Sequence, residues 1–182
     1  MTQPSFVLIG GGARSGKSSF ALERARTLGE RRVFLATAEA FDAEMGERIE
    51  QHRATRGGDF RTLEEPLEVP RVLAQLRDAD VVVVDCLTLW ISNLLLRGDD
   101  QAAILAHVDT LLDTIAQASF RVVLVSNEVG MGIVPEHALA RTFRDVTGLA
   151  HQRLARAADE IHVAILGVVL RLRPEPVQVQ PR

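Results

Sequence analysis

Eight residues near the start of the chain form a phosphate-binding motif. Residues 11–18 read Gly-Gly-Ala-Arg-Ser-Gly-Lys-Ser and satisfy the pattern G-x-x-x-x-G-K-S/T. Glycines let the backbone wrap around phosphate groups, and a helix that begins here offers its first N–H groups to them. We expect Lys17 to reach the β- and γ-phosphates and the Ser18 hydroxyl to ligate Mg²⁺. The alternative, a Gly-rich turn that happens to carry Lys and Ser, is disfavoured because a strand precedes the motif and a helix follows it.

An acidic residue follows a second apolar segment. Asp85 comes directly after four consecutive valines, Val81–Val84, which are typical of a strand buried on both faces. A carboxylate at the end of a buried strand near the phosphate loop can hold Mg²⁺ directly or through water. The same aspartate could instead cap a helix that begins near Leu87. The two roles are compatible, and the sequence leaves both open.

A histidine lies on a charged helical face. Glu44, Arg48, His52 and Arg56 recur every four residues and would share one side of a helix over residues 42–56. A neutral imidazole, with an ordinary pKa of about 6.5, can attack phosphorus near neutral pH and form a P–N bond. The same spacing fits a solvated stripe of salt bridges. The other histidines have no spacing that suggests a metal site, so we expect solvated or structural roles for them.

Apolar, β-branched segments alternate with helical patterns along the chain. We expect strands at 6–9, 32–36, 81–84, 121–125 and 161–166, with 168–172 continuing or pairing beside the last. Helices are expected at 18–28, 42–56, 70–76, 87–96, 101–117 and 135–158. This order predicts an α/β fold of the P-loop NTPase (RecA-like) type, in three layers with a largely parallel central sheet flanked by helices. We expect one nucleotide-binding domain over residues 1–182, with an irregular tail at 174–182.

Composition and charge exclude several classes of protein. The net charge is −3, with 21 basic and 24 acidic residues and no basic cluster, which argues against binding to nucleic acid. The single cysteine, Cys86, excludes an intramolecular disulfide and a cysteine-based zinc site. No segment reaches the roughly 18 apolar residues of a membrane helix, and no signal-peptide pattern is present. We therefore expect a cytoplasmic protein without a membrane span.

Four segments, in this order, resemble the bifunctional adenosylcobinamide kinase / adenosylcobinamide-phosphate guanylyltransferase family. They are the phosphate-binding motif, residues 36–52 from Ala-Thr-Ala to His52, residues 85–95 from Asp-Cys-Leu-Thr to Ser-Asn-Leu-Leu, and residues 127–145 beginning Asn-Glu-Val-Gly-Met-Gly. The resemblance extends from Phe6 to about Gly167. Many families share the first motif, whereas the Asn127–Glu136 string and the segment that carries His52 are far more specific.

The resemblance implies two successive reactions. ATP or GTP would phosphorylate the aminopropanol hydroxyl of adenosylcobinamide, a corrinoid, and GTP would then transfer GMP to that phosphate. It implies that His52 carries the guanylyl group, and it is consistent with the roles that the residue pattern itself predicts for Lys17 in catalysis and for Ser18 and Asp85 as Mg²⁺ ligands. Glu64 and Glu65 resemble an acidic pair near the nucleotide, where a carboxylate can accept from the guanine N1 and N2 donors. The implied nucleotide contacts are Gly11, Gly12, Ala13, Arg14, Ser15, Gly16, Lys17, Ser18, Thr37, Ala38, Glu39, Arg53, Glu64 and Asp85.

Other functions compete with this interpretation. A plain small-molecule kinase would transfer only the γ-phosphate and form no covalent nucleotide, and a regulatory switch would hydrolyse GTP slowly without an acceptor. A RecA-like motor would need a basic DNA-binding path, which the sequence lacks. The apolar segment 87–96, with Trp90, could belong to the core or form an interface. The resemblance alone implies a homotrimer.

Overall fold

The computed structural model describes residues 5–39, 57–174 and 178–180. Eight strands lie within these residues: β1 (Phe6–Gly11), β2 (Arg32–Ala36), β3 (Arg61–Glu64), β4 (Val81–Asp85), β5 (Arg121–Asn127), β6 (Glu160–Ile165), β7 (Val168–Arg173) and β8 (Gln178–Gln180). The helices are α1 (Lys17–Arg26), α2 (Val69–Gln75), α3 (Leu87–Arg97), α4 (Gln101–Gln117) and α5 (Ala138–Ala157). None of the helices in this part of the chain has the length and apolar character needed to cross a bilayer.

The strands form one sheet in the order β3-β2-β4-β5-β1-β6-β7-β8. From β3 to β6 every neighbouring pair is parallel, and β7 and β8 are added antiparallel at one side. The carboxyl ends of the parallel strands therefore meet at a single edge of the sheet, which is where ligands bind in open α/β sheets. β1, which leads into the phosphate-binding motif, lies between β5 and β6 near the middle of that edge.

Both faces of the central strands are covered, which explains their continuous apolar sequences. In β1, Val7 and Ile9 pack on the side of α1, whereas Phe6 and Leu8 pack against the helices of the opposite layer. The four valines of β4 are buried in the same alternating manner, two on each face. The expected three-layer α/β fold with a largely parallel sheet is confirmed.

The helix α3 belongs to the core of the protein. Leu87, Trp90, Ile91 and Leu94 are almost completely buried, and the Trp90 indole N–H donates to the Leu67 carbonyl oxygen at 2.7 Å. The sequence left core burial and an interface as alternatives for this segment. The structure assigns most of its apolar surface to the core.

Two expectations were wrong, and one strand was not predicted at all. The last long helix begins at Ala138 and not at Pro135. Strand β3 was not expected, because Arg-Thr-Leu-Glu is mostly exposed and has no apolar pattern of its own; it forms because β2 offers an edge for backbone pairing. Residues 178–180, expected to be irregular, pair antiparallel with β7. Both missed strands form by backbone pairing with a neighbouring strand, which their own side chains do not predict.

Candidate active site

The phosphate-binding motif forms the turn between β1 and α1. Gly16 immediately precedes the helix and adopts a φ of 93°, in the left-handed region that glycine tolerates best. At Gly11 a side chain has no room, because its Cβ would lie 2.6 Å from the Ala164 carbonyl oxygen of β6. The two glycines therefore let the chain leave the sheet beside β6 and turn directly into a helix.

Lys17 is the first residue of α1, directly after this turn, and is the only lysine in the sequence. Its side chain is largely buried, and Nζ donates to the Gly12 carbonyl oxygen at 3.2 Å. The Ser15 hydroxyl oxygen is also buried and has no hydrogen-bond partner within the described residues. Buried polar atoms nearly always have a partner, and a phosphate oxygen would provide one here. The turn is therefore suited to binding phosphate.

Thr37 connects the carboxyl ends of β2 and β4. Its N–H donates to the Asp85 carbonyl oxygen at 3.1 Å, and its hydroxyl donates to the Cys86 carbonyl oxygen at 2.8 Å while accepting from the Cys86 N–H at 2.9 Å. The Asn93 side-chain amide donates to the Thr37 carbonyl oxygen at 2.8 Å. These bonds fix the backbone around Asp85 at the ligand-binding edge, with the Asp85–Cys86 peptide bond in the cis form.

The two acidic residues of the predicted pair have different surroundings. The Glu65 carboxylate accepts from the Leu67 N–H at 3.0 Å and the Glu68 N–H at 2.8 Å, so it holds the turn that leads into α2. Glu64 is the last residue of β3, is exposed, and lies opposite Ala36 of β2. Glu64, and not Glu65, is therefore placed at the ligand-binding edge with an accessible side chain.

The end of β5 is attached to the beginning of the phosphate-binding turn. The Glu128 N–H donates to the Gly11 carbonyl oxygen at 2.9 Å, and Asn127 pairs with Gly11 across the two strands. The Asn127 side-chain amide also donates to the Thr88 hydroxyl at 2.9 Å, at the start of α3. These contacts hold the ends of β1, β4 and β5 in a fixed arrangement.

Cys86 directly follows Asp85, is buried, and should be unreactive. Burial, followed by the charge of Asp85, raises the pKa of its thiol to about 11. A neutral thiol is a poor nucleophile and a poor metal ligand. Its role is therefore to fill space beside Thr88 and Asn127, whose polar atoms lie near its sulfur.

The comparison with known proteins identifies the family. The family model described as cobinamide kinase / cobinamide phosphate guanyltransferase matches residues 7–172. The chain belongs to this family. It is 42% identical over 171 residues to a bifunctional adenosylcobalamin biosynthesis protein of Pseudomonas aeruginosa. That alignment covers 93% of this chain and 98% of the relative. The chain is 38% identical over 180 residues to the protein of the same description from Escherichia coli, with 92% and 99% covered.

A likeness to solved structures agrees on the fold. The crystal structure of the RadB recombinase superposes with a TM-score of 0.57 at 15% identity, covering 96% of this chain and 86% of that chain. An identity this low shows only the shared fold, a P-loop NTPase fold of the RecA-like type. Because a shared fold does not determine function, the function of this chain follows from its site and its family match and not from the likeness to RadB.

The structure brings most of the predicted site residues to one edge. The phosphate-binding turn, the residues that follow β2 (Thr37, Ala38 and Glu39), Glu64 and Asp85 all lie at the carboxyl ends of the parallel strands. The Thr37 N–H and hydroxyl bond to Asp85 and Cys86, and its carbonyl oxygen accepts from Asn93 of α3, so its contact with a nucleotide stays a prediction. His52 and Arg53 lie outside the described residues, as do Glu44, Arg48 and Arg56.

Two features of the loop after β5 were not foreseen from the sequence. The His151 ring, on α5, is hydrogen-bonded to the Ser126 hydroxyl beneath the loop. The loop itself exposes large apolar side chains, with Met131 87%, Ile133 97% and Val134 61% accessible. Nothing in the sequence around His151 indicates a partner 25 positions away, which is why the first feature was missed. The second was visible only as a glycine-rich string.

Proposed function

We propose that this chain phosphorylates adenosylcobinamide with ATP or GTP and then transfers GMP from GTP to the new phosphate through a guanylyl group on His52. The observation that carries the proposal is the phosphate-binding turn, in which the Lys17 side chain is buried with Nζ on the Gly12 carbonyl oxygen and the Ser15 hydroxyl has no partner within the described residues. It is found in a chain that the cobinamide kinase / cobinamide phosphate guanyltransferase model matches over residues 7–172. Both named relatives are described as bifunctional and are covered almost completely.

In the kinase reaction, the acceptor hydroxyl oxygen attacks the γ-phosphorus. The bond from that phosphorus to the β–γ bridging oxygen breaks, the nucleoside diphosphate leaves with the electron pair, and the hydroxyl proton passes to a base or to water. Lys17 and the N–H groups at the start of α1 stabilise the negative charge on the transferred group and on the leaving diphosphate.

The expected metal fits the residues at this edge. The Ser18 hydroxyl and the Asp85 carboxylate are oxygen donors, which Mg²⁺ prefers, and one or two protein ligands are usual when phosphates supply the others. Mg²⁺ bound there would neutralise charge on the phosphates. Within the described residues no cluster of three or more His, Cys, Asp or Glu side chains offers a competing metal site.

In the guanylyl transfer, a ring nitrogen of neutral His52 attacks the α-phosphorus of GTP and pyrophosphate leaves. A phosphate oxygen of adenosylcobinamide phosphate then attacks the same phosphorus, and the P–N bond breaks to return the imidazole. The phosphate-binding turn would hold the departing pyrophosphate. Glu64 would accept hydrogen bonds from the guanine N1 and N2 donors, since its carboxylate is exposed at the same edge.

The loop after β5 would receive the corrinoid acceptor. It begins at Glu128, whose N–H is bonded to Gly11 of the phosphate-binding turn, and its exposed Met131, Ile133 and Val134 offer an apolar surface. A corrin ring is a large, mostly apolar body, so such a surface can bind it through buried area. The arrangement would deliver the acceptor to the same edge as the phosphates.

The assembly of the protein is proposed from the resemblance alone, and its location from the composition of the sequence. We infer a cytoplasmic homotrimer of this 20.0 kDa chain. Light scattering during size-exclusion chromatography would measure about three times the mass of one chain for a trimer. A mass that matches one chain or two would refute the trimer without affecting the proposed reactions.

The decisive experiment follows the α-phosphate of GTP. The wild type, His52→Ala and the control His137→Ala are incubated with Mg²⁺ and GTP labelled at the α-phosphate, and are then denatured. We expect label on the wild type and on His137→Ala, labile to acid and stable to base, and none on His52→Ala. His137 is a suitable control because it is exposed and precedes α5.

The second candidate function is a kinase without guanylyl transfer. It is favoured by the same phosphate-binding turn, because γ-phosphate transfer does not require the His52 nucleophile. If no label is retained on the wild type while adenosylcobinamide is still phosphorylated, the guanylyl-histidine part of the proposal fails and the kinase remains. If His52→Ala retains the label, another residue is the nucleophile.

A further inference from the structure

A groove leads from the phosphate-binding turn along α1, on the side of the sheet that carries β6 and β7. Its part near the turn has a volume of about 320 Å³, and a second part of about 360 Å³ continues toward the middle of α1. Phe20 and Glu23 line both parts, so the two cavities are neighbours on either side of these two side chains. The groove, called the α1 groove below, is lined mainly by Arg14, Ser19, Phe20, Glu23, His162 and Arg171.

The α1 groove and Glu64 lie on opposite sides of the phosphate-binding turn. In the sheet order, β5, β4, β2 and β3 follow one another on one side of β1, and β3 ends at Glu64. β6 and β7 lie on the other side of β1 and form the wall of the groove. A nucleotide with its phosphates in the turn can therefore extend its nucleoside in either of two directions.

The groove has a wall suited to a flat aromatic ring. Phe20 is only half-buried, and its ring centroid lies 4.9 Å from that of His162. Val169 of β7 adds a buried aliphatic surface close to the phosphate-binding turn. Nucleobases stack on aromatic side chains and on aliphatic surface irrespective of their identity. The exposed Glu23 carboxylate, between the two parts, can accept hydrogen bonds from ribose hydroxyls.

The inner end of the groove contains buried polar atoms that lack partners. His162 is 1% exposed; its Nε2 lies 2.9 Å from Glu160 Oε1, and Arg24 binds the other oxygen of Glu160 at 2.6 Å. Within the described residues, His162 Nδ1 and Arg171 Nε are buried without a hydrogen-bond partner. The two residues are directly paired across β6 and β7.

These two atoms differ in hydrogen-bonding capacity. Because the carboxylate of Glu160 can only accept, His162 Nε2 carries the proton in that hydrogen bond, and in the tautomer protonated at Nε2 the Nδ1 atom is an acceptor. Arg171 Nε is always a donor. Both atoms have almost no exposed surface, so a base that enters the groove reaches them only when the covering side chains move. The edge of a purine carries a donor and an acceptor close together and would then satisfy both. A buried unpartnered atom costs about 1–3 kcal/mol, so satisfying it on binding is favourable.

We propose that the α1 groove binds the purine nucleoside of the nucleoside triphosphate that donates the γ-phosphate. The GTP that donates GMP would extend the other way, with its base at Glu64. The inference rests on the proposed function for the existence of two donors. The single phosphate-binding turn would then serve two nucleosides from opposite sides, which allows the two reactions to differ in base preference.

The test separates binding of the nucleoside from binding of the phosphates. Equilibrium binding to the full chain is measured for inorganic tripolyphosphate and for the β,γ-imido analogues of ATP and GTP, each with Mg²⁺. The variant Glu23→Trp fills the groove where its two parts meet, and Arg171→Met removes the unpaired donor while it keeps the apolar stem. The control Asp113→Trp makes the same acid-to-tryptophan change at an exposed position of α4.

We expect Glu23→Trp to weaken at least one analogue roughly tenfold or more, and Arg171→Met to weaken the same analogue by about threefold, with tripolyphosphate unchanged. KM for the nucleotide should rise in the kinase assay on adenosylcobinamide, whereas KM for GTP on pre-phosphorylated substrate should stay within about twofold. The identity of the analogue affected tells whether the groove prefers adenine or guanine.

Two results would overturn the inference while the proposed function stands. Unchanged analogue binding in both variants would show that the nucleoside does not enter the groove. An equal loss of tripolyphosphate and analogue binding would show that the substitutions damage the phosphate-binding turn. If the wild type binds neither tripolyphosphate nor any nucleotide, the proposed function itself fails and the groove proposal with it.

Discussion

The Ser126 hydroxyl oxygen and His151 Nε2 lie 2.6 Å apart, joining the end of β5 to the middle of α5. The other ring nitrogen of His151 lies 3.9 Å from Glu128 Oε2, at the start of the loop that follows β5. Arg144, two turns earlier on α5, donates to the Gly130 carbonyl oxygen at 2.6 Å. The helix α5 therefore fastens the beginning of this loop at two places, and one of them contains a titratable group.

This contact predicts a pH dependence of stability. Burial lowers the pKa of His151, and the nearby Glu128 charge opposes this only in part. The folded protein therefore keeps His151 neutral where the unfolded chain, with a pKa of about 6.5, already binds a proton. The free energy of unfolding should fall as the pH is lowered below about 6.5, toward the lower pKa of the folded state.

The measurement compares urea unfolding of the wild type and His151→Gln at pH 7.5 and pH 5.5. Glutamine can still hydrogen-bond to Ser126 but does not titrate in this range. The loss of stability on acidification should be larger in the wild type, because the other histidines contribute equally to both proteins. An identical loss in both would show that the environment of His151 does not resist protonation.

Lys17 should dominate the binding of phosphates. Its removal in Lys17→Ala eliminates a charge-assisted hydrogen bond, which corresponds to about 1.5–3 kcal/mol or roughly a ten- to hundredfold weaker Kd for tripolyphosphate. Calorimetry with Mg²⁺ present measures this directly. Arg61→Ala is the control, since it removes an exposed positive charge at the opposite end of β3 from Glu64. Equal weakening by both would mean that the attraction is unspecific.

Lys17 as the only lysine also permits a chemical test. An amine-reactive reagent can label only this side chain and the N-terminal amine. Bound nucleotide should protect Lys17 and leave the N-terminus reactive, as peptide mapping would show. Labelling of Lys17 that is unaffected by saturating ATP and GTP would contradict its assignment to the phosphate site.

Substitutions of the adjacent acids Glu64 and Glu65 should have different main effects, on KM for GTP and on the free energy of unfolding respectively. Glu65→Ala removes the acceptor of two N–H groups before α2 and should lower the free energy of unfolding by about 1 kcal/mol or more. Glu64→Ala should raise KM for GTP in guanylyl transfer more than Glu65→Ala does. Urea unfolding and steady-state kinetics on both variants provide the comparison. A reversed pattern would assign the guanine contact to Glu65.

The central sheet and its ligand-binding edge were predictable because the local signals agree there. Four consecutive valines in β4 and a glycine-rich turn after β1 each restrict the backbone strongly, and both were placed correctly. Strand β2 and helix α4 matched at both ends, because a clear apolar pattern and, for α4, the Asp100 cap define them. The family resemblance that supplied the proposed reactions is confirmed by the family match.

The features that the sequence did not predict depend on contacts between distant parts of the chain. Strand β3 takes its order from β2, and the pairing of Ser126 with His151 depends on where α5 packs. Nothing in the sequence separates Glu64 from Glu65, because only the turn into α2 decides which carboxylate is used internally. The α1 groove could not be predicted from the sequence either, since it is formed by residues more than 130 positions apart.

Cys86 should be unreactive in the folded protein. Its thiol is buried and its pKa is raised to about 11, so very little thiolate exists at pH 7.5. Iodoacetamide should modify it only after unfolding, and mass spectrometry of native and urea-treated samples would show this. Rapid modification of the native protein would mean that the segment behind Asp85 opens readily.

The exposed apolar loop after β5 gives the last prediction. If the corrinoid covers Ile133, the substitution Ile133→Ser should remove about 1.5–3 kcal/mol of apolar burial and raise KM for adenosylcobinamide roughly tenfold or more. Leu96→Ser is the matched control, an exposed aliphatic side chain at the end of α3. Nucleotide binding should be unchanged in both variants, because neither residue lies in the phosphate-binding turn. An unchanged KM for the corrinoid, with a lower mass by light scattering, would instead assign Ile133 to a contact between subunits.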